Sequence, residues 1–376
     1  MARLGDIATY VNGFAFKPTD WSDTGLPIIR IQDLTGNSYQ ANRYNGKYDS
    51  KYEILDGDVL ISWSASLGVY VWHGETALLN QHIFKVVFDK VDVDKNFFIH
   101  QVKAILEKAS SEAHGATMKH LTKPVFDALP FYLPSIEEQR DIAEKLDKVC
   151  TLIEQRKQQI EKLDQLVKSR FIELFGNLVI GDKVDTNKKK IGEIASVTKL
   201  AGFEFTKYIQ YKEQGDIIML RGLNCKKGHL VLDDIKWIDK ETSDLLPRSK
   251  LYYGDILMTY AGTIGDVAMV DADDKYHLAP NVAKITLNNK KACNPVFLMH
   301  LFMYTNDYIM TFASVVAQAS INMEKIRNFE YYFPPVEQQN QFAAFVEQTD
   351  KSKLAVQNSI AKLEELKKSL MQKYFG

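Results

Sequence analysis

The chain has 376 residues, 45% of them hydrophobic and 25% charged, and this composition excludes a disordered or fibrous protein. The length predicts about two domains, and the sequence has no apolar run of the roughly 18 residues that a transmembrane helix requires. The formal net charge of −1 gives no basic excess, but a basic face balanced by acidic residues elsewhere is still compatible with nucleic-acid binding.

The N-terminal stretch MARLGDIATYVNG lacks the apolar core of a secretory signal. The cysteines, Cys150, Cys225 and Cys293, are far apart and form no CxxC or His/Cys cluster. The sequence therefore supports neither a disulfide framework nor a zinc site. We expect a reducing, cytoplasmic location and no membrane partner.

Residues 1–135 are predicted to form a globular unit, called here the first module, with short apolar runs separated by Gly, Asn and Asp. Runs of β-branched and aromatic residues between such turn formers predict strands, as at Ile28–Ile31, Val59–Ile61 and Ile83–Phe88. One helix is predicted around Asn96–Ala109. The first module is therefore expected to mix helices and strands.

Residues 136–176 contain no proline and predict one long helix. Ser135 and Glu138 form an S-x-x-E capping box at its start. Apolar residues then recur at steps of three, four and seven, as in a heptad seam. The predicted seam residues of this helix are Leu146, Val149, Ile153, Ile160, Leu163, Val167 and Leu174.

Residues 177–190 are predicted to be a linker, after which the same plan recurs. The second module comprises residues 191–335, with a predicted strand at Ile217–Leu220 and a helix near Pro295–Val315. A second long helix is predicted at residues 336–376. Its predicted seam residues are Val346, Val356, Ile360, Leu363 and Leu370.

The second long helix differs from the first in two respects. Pro335 and Gln338 stand where the first copy has its capping residues, which predicts a weaker cap. Lys353 and Lys367 interrupt the apolar seam, and polar residues at such positions are expected to fix the register of a helix pair at some cost in stability.

Similar strings mark corresponding points of the two copies. LPSIEEQ at Leu133–Gln139 recurs as FPPVEQQ at Phe333–Gln339, two hundred residues later. LGDIA at Leu4 matches IGEIA at Ile191, and GDVLIS at Gly57 matches a later GDILMT. Matches in the same order at so long a period indicate tandem duplication of a whole domain rather than a solenoid repeat.

The two long helices are expected to pair as an antiparallel coiled coil, with the two modules related by pseudo-twofold symmetry. The second helix can bury its seam by running back along the first. The alternative is that each helix packs on its own module or on a partner. The predicted fold class is α+β: two mixed α/β modules, each followed by a long helix.

The sequence contains no convincing catalytic motif. It has neither a GxxxxGK[ST] phosphate loop nor a GxGxxG after a predicted strand. The FPP string at Phe333 is similar to the Asn-Pro-Pro-aromatic motif of adenine methyltransferases, but it lacks the asparagine and lies at a helix start. The histidines are scattered, so no metal site is predicted. We therefore expect a protein that is not an enzyme, and an unrecognised catalytic site is one alternative.

This double set of landmarks resembles the specificity subunits of type I restriction-modification enzymes. Twin modules that each close with an LPP-x-x-EQ-like string and a long helix are typical of that family. LGDIA, GD[VI]L, the NQH and PNVAK segments and helices ending in FG fit the same family. The resemblance covers essentially the whole chain.

The resemblance implies that the modules are target recognition domains, each reading one half of a bipartite, asymmetric sequence in double-stranded DNA. It implies that the long helices set the distance between the halves and dock methyltransferase subunits, two for each chain. Restriction subunits would join through this core. The resemblance places S-adenosylmethionine, ATP and Mg²⁺ in the partner subunits and no cofactor in this chain.

The candidates for DNA contacts are polar side chains in loops or at the ends of predicted strands, because such groups read base edges and phosphates. In the first module they are Lys17, Arg30, Gln32, Asn37, Arg43, Lys47, Ser64, Gln81, His82, Lys119 and His120. In the second module they are Lys207, Arg221, Asn224, Lys226, Lys227, Arg248, Tyr260, Thr263, Asn281, Gln318, Ser320 and Asn322. For each residue, the alternative is an ordinary solvated loop side chain.

Some candidates occupy matching places in the two copies. Ser64 and Tyr260 each follow a GD-[VI]-L strand, and His82 and Asn281 each precede the next predicted strand. The intervening segments, by contrast, differ in sequence and length, which predicts different half-sites.

Two function classes follow from the sequence. The leading hypothesis is a non-catalytic, sequence-specific DNA-binding subunit, which two strand-rich modules with polar loops favour. The alternative is a coiled-coil scaffold that binds proteins and not DNA, which the near-neutral net charge favours.

Overall fold

The computed structural model describes residues 2–36, 42–64, 66–112, 122–184, 186–314 and 319–376. The chain divides into two compact units. The first consists of Met1–Gln158 with Gln357–Gly376, and the second of Gln159–Val356. Each unit therefore contains one module together with portions of both long helices.

In the first unit, the strands are β1 (Ala2–Arg3), β2 (Thr9–Asn12), β3 (Leu26–Ile29), β4 (Arg43–Tyr44), β5 (Glu53–Ile54), β6 (Val59–Ser62), β7 (Gly68–Val71), β8 (Ala77–Leu79), β9 (Ile83–Val87) and β10 (Pro130–Phe131). The helices that begin there are α1 (Leu4–Ile7), α2 (Ile31–Leu34), α3 (Lys95–Glu112), α4 (Lys123–Asp127) and the long helix α5 (Ile136–Phe175).

In the second unit, the strands are β11 (Lys188–Lys190), β12 (Ala195–Lys199), β13 (Ile217–Leu220), β14 (Cys225–Lys226), β15 (His229–Leu230), β16 (Lys236–Ile238), β17 (Lys250–Leu251), β18 (Ile256–Thr259), β19 (Val267–Met269), β20 (Tyr276–Leu278), β21 (Val282–Leu287) and β22 (Glu330–Tyr332). The helices that begin there are α6 (Ile191–Ile194), α7 (Gly202–Tyr208), α8 (Lys240–Leu245), α9 (Pro295–Tyr304), α10 (Asn306–Met310), α11 (Met323–Arg327) and the long helix α12 (Val336–Phe375).

The two modules share one sheet topology. The described residues form an antiparallel sheet of order β2-β9-β6-β7 in the first module and β12-β21-β18-β19 in the second. A second sheet has the order β4-β3-β8-β5 or β16-β13-β20-β17, and its central pair is parallel in both cases. The antiparallel sheet packs on a helix, so that Phe84 of β9 shares a core with Phe97 of α3, and Ile285 of β21 shares one with Phe297 of α9.

The repeated GD string forms the same turn in both modules. Gly57 and Gly254 have φ angles of 87° and 83°, a conformation that residues with a Cβ rarely adopt. The carboxylates of Asp58 and Asp255 then accept a hydrogen bond from the backbone N–H three residues earlier, at 2.8 and 2.9 Å. The turn leads directly into β6 and β18, whose residues are all buried.

The helix that covers each antiparallel sheet agrees only partly with the sequence prediction. In the first module, α3 contains the predicted segment Asn96–Ala109. In the second, the single helix predicted near Pro295–Val315 is wrong, because α9 and α10 are separated at Thr305. The Thr305 hydroxyl donates to the Leu301 carbonyl at 2.6 Å and lies 3.1 Å from the Tyr331 hydroxyl. Side-chain bonds of this kind compete with continuation of a helix.

The predicted linker, residues 177–190, is also corrected by the structure. Leu178 is 1% exposed and belongs to the hydrophobic core of the second unit. Residues Lys188–Lys190 form β11, which pairs antiparallel with β22 and places Lys188 opposite Tyr332. Three consecutive lysines suggest a solvated segment, but their backbone groups complete a strand pair while the side chains stay exposed.

The repeated strings LPSIEEQ and FPPVEQQ each begin a long helix with a buried glutamine. Gln139 and Gln339 are both 1% exposed. The Gln139 amide donates to the Pro134 carbonyl at 2.9 Å and accepts from the Asp94 N–H at 2.9 Å. Gln339 makes the two equivalent bonds in the second unit, at 2.7 and 2.9 Å. Each glutamine thereby joins its long helix to the N-terminus of α3 or α9.

The first turns of the two long helices are capped differently. The Ser135 hydroxyl accepts from the Glu138 N–H at 3.3 Å, as the capping motif predicts. The Glu138 carboxylate accepts a hydrogen bond from the Tyr132 hydroxyl at 3.1 Å. In the second helix, the Gln338 N–H donates to the Pro335 carbonyl at 3.0 Å, so a backbone oxygen stands in for the serine hydroxyl.

The long helices α5 and α12 pair in antiparallel directions, as predicted. In the first unit, Leu370 and Tyr374 near the end of α12 pack against the core that contains Leu146 near the start of α5. In the second unit, Phe342 near the start of α12 packs against Phe171 near the end of α5, with ring centres 5.3 Å apart. The α+β fold class with an antiparallel helix pair is therefore confirmed.

The residues of the predicted seam are removed from solvent to different degrees. Those that are buried are Leu146, Val149, Ile153, Val167, Val346 and Val356, and those that are half-buried are Ile160, Leu163, Leu174, Ile360, Leu363 and Leu370. The interrupting residue Lys353 has a side chain only 12% exposed, and its ammonium lies 2.6 Å from Asp164 and 3.2 Å from Asp350. A charge at this depth is tolerated because carboxylates from both helices compensate it.

His277, in the middle of β20, is fully buried and its Nδ1 lies 3.0 Å from the Ser243 hydroxyl. Burial, and to a lesser degree the nearby charges of Lys250 and Lys284, lowers the pKa of this imidazole to about 4. The histidine is therefore neutral at physiological pH, and protonating it opposes folding.

Replacing Gln339 with leucine should lower the free energy of unfolding by about 2–4 kcal/mol, because two buried backbone groups lose their partners. Urea unfolding followed by circular dichroism measures the change. The matched control is Gln338→Leu at the adjacent exposed position, which should stay within about 0.5 kcal/mol of the wild type. Equal losses for both variants would contradict the bridging role of Gln339.

Replacing His277 with glutamine should flatten the dependence of stability on pH between about 4 and 6.5. In this window the unfolded histidine binds a proton that the buried one does not, so wild-type stability falls as the pH is lowered. The effect amounts to about 3 kcal/mol across the window. Urea unfolding at several pH values measures this dependence, and His229→Gln at an exposed position is the control. If stability depends on pH in the same way for the wild type and for His277→Gln, the prediction is wrong.

Candidate nucleic-acid interface

Several predicted contact residues lie where the two sheets of a module meet. In the first module, residues 80–82 carry the chain from β8 of one sheet into β9 of the other. Strands β2 and β6 both end beside the start of β9, opposite its first residues. Asn12, Trp63 and His82 therefore lie close together, and we call these three residues the first corner.

The second module builds the same arrangement from Lys199, Tyr260 and Asn281, called here the second corner. Strands β12 and β18 end beside the start of β21. The Tyr260 N–H donates to the Asn281 carbonyl at 3.0 Å, as the Trp63 N–H donates to the His82 carbonyl at 3.2 Å. The two corners thus share one backbone hydrogen-bond pattern and differ in every side chain.

His82 and Asn281 share an uncommon backbone conformation, with φ angles of 72° and 67°. Few residues other than glycine adopt positive φ, although Asn and His do so more readily than most. Residues held in this conformation recur at functional sites, where the surrounding structure imposes it. Its presence at the same place in both modules favours a functional role for the corners.

The predicted equivalence of Ser64 and Tyr260 is wrong by one residue. The structure aligns GDVLISW with GDILMTY, so the counterpart of Tyr260 is Trp63. Ser64 is 5% exposed, and its burial removes it from the contact surface. Sequence reasoning missed Trp63 because it counted only polar residues, whereas extending the GD match by one position would have identified it.

A polar side chain at the end of the edge strand contacts the aromatic ring of each corner. In the first corner, Trp63 Nε1 donates to Asn12 Oδ1 at 3.2 Å. In the second, the Lys199 ammonium lies 5.5 Å from the centre of the Tyr260 ring, a cation–π distance. Asn12 and Lys199 are exposed, and neither was among the predicted contacts. Extending the LGDIA and IGEIA match by four residues would have shown that they are equivalent.

The Trp63 ring is held in place by its neighbours. It stacks on Phe84, with ring centres 5.7 Å apart and planes inclined by 23°. It meets the His82 ring edge-on at 4.9 Å. The indole is therefore a rigid platform, and its N–H holds the Asn12 amide at the edge of the sheet.

Two of the arginines predicted to contact DNA, Arg221 and Arg30, are engaged within their own modules. Arg221 follows β13 and donates to the Asp234 carboxylate at 2.7 Å and to the Asp234 carbonyl at 2.9 Å. Arg30 follows β3; its guanidinium lies 5.5 Å from the Trp21 ring centre, and its Nε lies 3.7 Å from the Asp33 carboxylate. Bidentate recognition of a guanine would compete with these contacts.

The prediction of Asn224 as a DNA contact is wrong. Its side chain is fully buried, with Oδ1 accepting from the Arg221 N–H at 3.0 Å. Its Nδ2 donates to the carbonyls of Val231 and Asp234 at 2.8 and 2.9 Å. Every polar atom of the amide is thus used to shape the loop, because a buried amide is stable only when its hydrogen bonds are satisfied.

The remaining candidates differ in exposure. The exposed ones are Lys17, Lys47, Lys207, Lys226, Lys227, Arg248, Thr263, Asn281 and Asn322, and the half-buried ones are Gln32, Arg43, Gln81, His82, Tyr260 and Ser320. Asn37, Lys119, His120 and Gln318 lie outside the described residues. Arg43 donates to the Gly25 carbonyl at 2.7 Å and to the Glu75 carboxylate at 2.8 Å, so it serves its own module.

The structure places some of these candidates beside the second corner. Ser320 pairs with Ala261, the residue that follows Tyr260. The Thr263 carbonyl accepts a hydrogen bond from the Thr259 hydroxyl, which closes the loop after β18. Asn322 caps α11, because its Oδ1 accepts from the Lys325 N–H at 2.8 Å. Other candidates lie on separate elements, among them α7 and the β14–β15 hairpin.

The chemistry of the described residues concerns possible metal ligands, the cysteine thiols and the polar groups of the corners. The described residues contain no group of three or more His, Cys, Asp or Glu side chains that could hold a metal ion. Burial raises the pKa of the Cys225 and Cys293 thiols to about 12, so both are protonated and poor nucleophiles at neutral pH. The corners present hydrogen-bond donors, acceptors and cations at exposed strand ends, which suits a polar, anionic ligand.

Comparison with known proteins identifies the family. A family model described as the type I restriction modification DNA specificity domain matches residues 1–163 and 183–368. The EcoBI specificity subunit of a type I restriction enzyme from Escherichia coli is 28% identical, over 99% of this chain and 84% of that protein. The MjaVIII specificity subunit of Methanocaldococcus jannaschii is 22% identical, over 99% of this chain and 90% of that protein.

Solved structures show the same fold. The S subunit of a type I restriction-modification system from M. genitalium covers 100% of this chain and 95% of its own, with a TM-score of 0.54 at 14% identity. A chain from a structure that concerns complex assembly and conformational transition of the type I R-M system covers 100% of this chain and 96% of its own. Its TM-score is 0.60 at 15% identity.

None of the helices in the described part of the chain has the length and apolar character that crossing a bilayer requires. The family resemblance predicted from the sequence is confirmed, including its DNA specificity domains. Because one family model matches both copies of the repeat in turn, this chain belongs to the specificity subunits of type I restriction-modification systems.

Proposed function

We propose that this chain recognises a bipartite, asymmetric sequence in double-stranded DNA, with one half-site read by each module. The observation that carries the proposal is the recurrence of the corner on one backbone pattern with different side chains. Two modules with the same backbone scaffold and different polar and aromatic side chains can bind the DNA backbone in the same orientation and select different bases.

Phosphate contacts would come from exposed cations of the two modules. Lys226, Lys227 and Arg248 are exposed in the second module, and Lys17 and Lys47 are exposed in the first. Such contacts position a protein on the duplex and make its affinity depend on salt. The net charge of −1 does not oppose this role, because the effect depends on local and not total charge.

We assign the distance between the half-sites to the paired helices α5 and α12. Each has 40 residues and an α-helix rises about 1.5 Å per residue, so the pair can hold two readers at a defined separation. B-DNA presents the same groove about every 34 Å along its axis, and a stiff element is needed to match two grooves at once.

The same helices are the proposed docking surface for methyltransferase subunits, two for each chain, through which restriction subunits would join. Their outer faces carry large apolar side chains that are 42% to 57% exposed, namely Leu152, Leu166, Ile172, Leu354 and Leu366. Exposed apolar side chains of this kind are typical of surfaces that a partner covers.

In this scheme the partner subunits hold the cofactors. Methyl transfer from S-adenosylmethionine and cleavage driven by ATP with Mg²⁺ take place there, and this chain selects the sequence. The protonated thiols of Cys225 and Cys293 are consistent with that division. A system that acts on chromosomal and incoming DNA in this way would be located in the cytoplasm.

Reconstitution with the cognate methyltransferase subunits should confine methylation of a random DNA pool to one bipartite motif with two different halves. Sequencing of the methylated positions measures the outcome, and the methyltransferase without this chain is the control. If the complex assembles but methylates DNA without sequence preference, the chain is a protein-binding scaffold and not a DNA reader.

Shortening both long helices by one heptad, over residues 157–163 and 357–363, should change the preferred gap between the half-sites while leaving their bases unchanged. The deletion removes about 10 Å from the helix pair. It is placed where the two helices face each other, since Lys157 lies 4.0 Å from Glu364. Selection from DNA pools with variable gaps measures the effect.

The control for this deletion keeps the helix length and replaces the exposed residues Gln158 and Glu161 of the same heptad with alanine. It should retain the original gap. An unchanged gap in a folded, DNA-binding deletion variant would exclude the helices as the element that sets the spacing.

A further inference from the structure

The equivalent residues 12 and 199 carry different chemistry at the same place in the two modules. Asn12 ends β2 opposite Phe84, and Lys199 ends β12 opposite Ala283, in matching registers of the antiparallel sheet. Both side chains are exposed and both rest against the aromatic ring of their corner. If Asn12 and Lys199 were ordinary solvated side chains, neither the contact with an aromatic ring nor the positive-φ residue beside them would be required in both modules.

We propose that Asn12 and Lys199 are specificity-determining residues, each reading one purine of its own half-site, with Asn12 selecting adenine and Lys199 selecting guanine. The inference rests on the proposed function, because it assumes that each module reads one half of a bipartite site.

The orientation of the Asn12 amide follows from the chemistry of its neighbour. An indole N–H can only donate, so the atom that faces Trp63 Nε1 at 3.2 Å must be the amide oxygen. The amide nitrogen then points away from the ring, and the oxygen keeps a second lone pair. Asn12 therefore presents a donor and an acceptor side by side.

That pair matches the major-groove edge of adenine, where N7 accepts and the N6 amino group donates. Guanine presents two acceptors, N7 and O6, and its O6 would face the amide oxygen without a proton between them. The first corner is therefore built to prefer adenine over guanine at the base that Asn12 meets.

Lys199 has the opposite preference because an ammonium donates and cannot accept. Guanine N7 and O6 can both accept from it, whereas the adenine amino group cannot. The Tyr260 ring, 5.5 Å from the ammonium, steadies a side chain that would otherwise be mobile. The Lys199 side chain is exposed, so its ammonium is accessible to a ligand at this corner.

The test exchanges the two residues in the full chain assembled with its methyltransferase subunits. DNA retained by the complex from a random pool is sequenced for the wild type, for Asn12→Lys and for Lys199→Asn. In the first variant, one position of one half-site should shift from adenine towards guanine by about tenfold or more, with the other half-site unchanged. In the second, one position of the other half-site should shift from guanine towards adenine.

The matched control is Lys291→Asn, which removes the same charge from an exposed lysine. Lys291 follows Leu287 at the far end of β21, whereas the second corner adjoins the start of that strand. This variant should leave both half-sites unchanged. If Lys199→Asn weakens binding to all sequences alike, Lys199 is a phosphate contact and the assignment is overturned.

A second variant, Trp63→Phe, tests the positioning of Asn12. It keeps an aromatic ring against Phe84 but removes the N–H that orients the amide. The preference for adenine should weaken several-fold at that one position without a gain for guanine, because a freed amide can rotate. Unchanged discrimination would refute the role of the indole in orienting Asn12.

Failure of this inference can be distinguished from failure of the proposed function. A wild-type complex that selects no bipartite motif overturns the function. A wild-type complex that selects such a motif, together with exchange variants whose motif is unchanged, overturns only the assignment of Asn12 and Lys199. Thermal unfolding of each variant near the wild-type midpoint shows that altered selection does not come from misfolding.

Discussion

The buried amide of Gln139, repeated as Gln339, is the contact on which the architecture of each unit depends. It binds the carbonyl just before a long helix and the N–H at the start of the helix that covers the module's sheet. One planar amide supplies both a donor and an acceptor, which neither a carboxylate nor an apolar side chain can do. The direction in which each long helix leaves its module is therefore set by two hydrogen bonds inside the core, where they are shielded from water.

This constraint explains why the strings at the helix starts are so alike while the segments before them differ. The proline, the glutamine and the residues they join must keep one geometry in both copies, because both copies begin the same helix pair. The corners lie at strand ends, so the exposed side chains Asn12 and Lys199 can differ there without breaking a hydrogen bond of the sheet. The two modules thus keep one scaffold while these exposed side chains differ.

Buried polar groups order loops and helix contacts within this chain. Asn224 uses its whole amide to shape the loop after β13, and Arg221 is tied to Asp234 beside it. Lys353 plays a comparable part between the long helices, where carboxylates on both helices compensate its charge. Some polar residues that the sequence suggests as ligand contacts therefore order the structure of their own module instead.

The sequence by itself determined the duplication, the two long helices, the repeated GD strings and the family, and it favoured antiparallel pairing of the helices without excluding the alternative. The helices and turns depend on local chemistry or on a period within one helix. The duplication and the family are visible as repeated strings in the chain. Only the tertiary structure decided that Asn224 is buried, that residues 188–190 complete a strand pair, and that Thr305 ends α9. It also brought Asn12 to Trp63 and Lys199 to Tyr260. These outcomes depend on partners many residues away, and burial or exposure of a polar side chain is set by such partners rather than by its own neighbours in the chain.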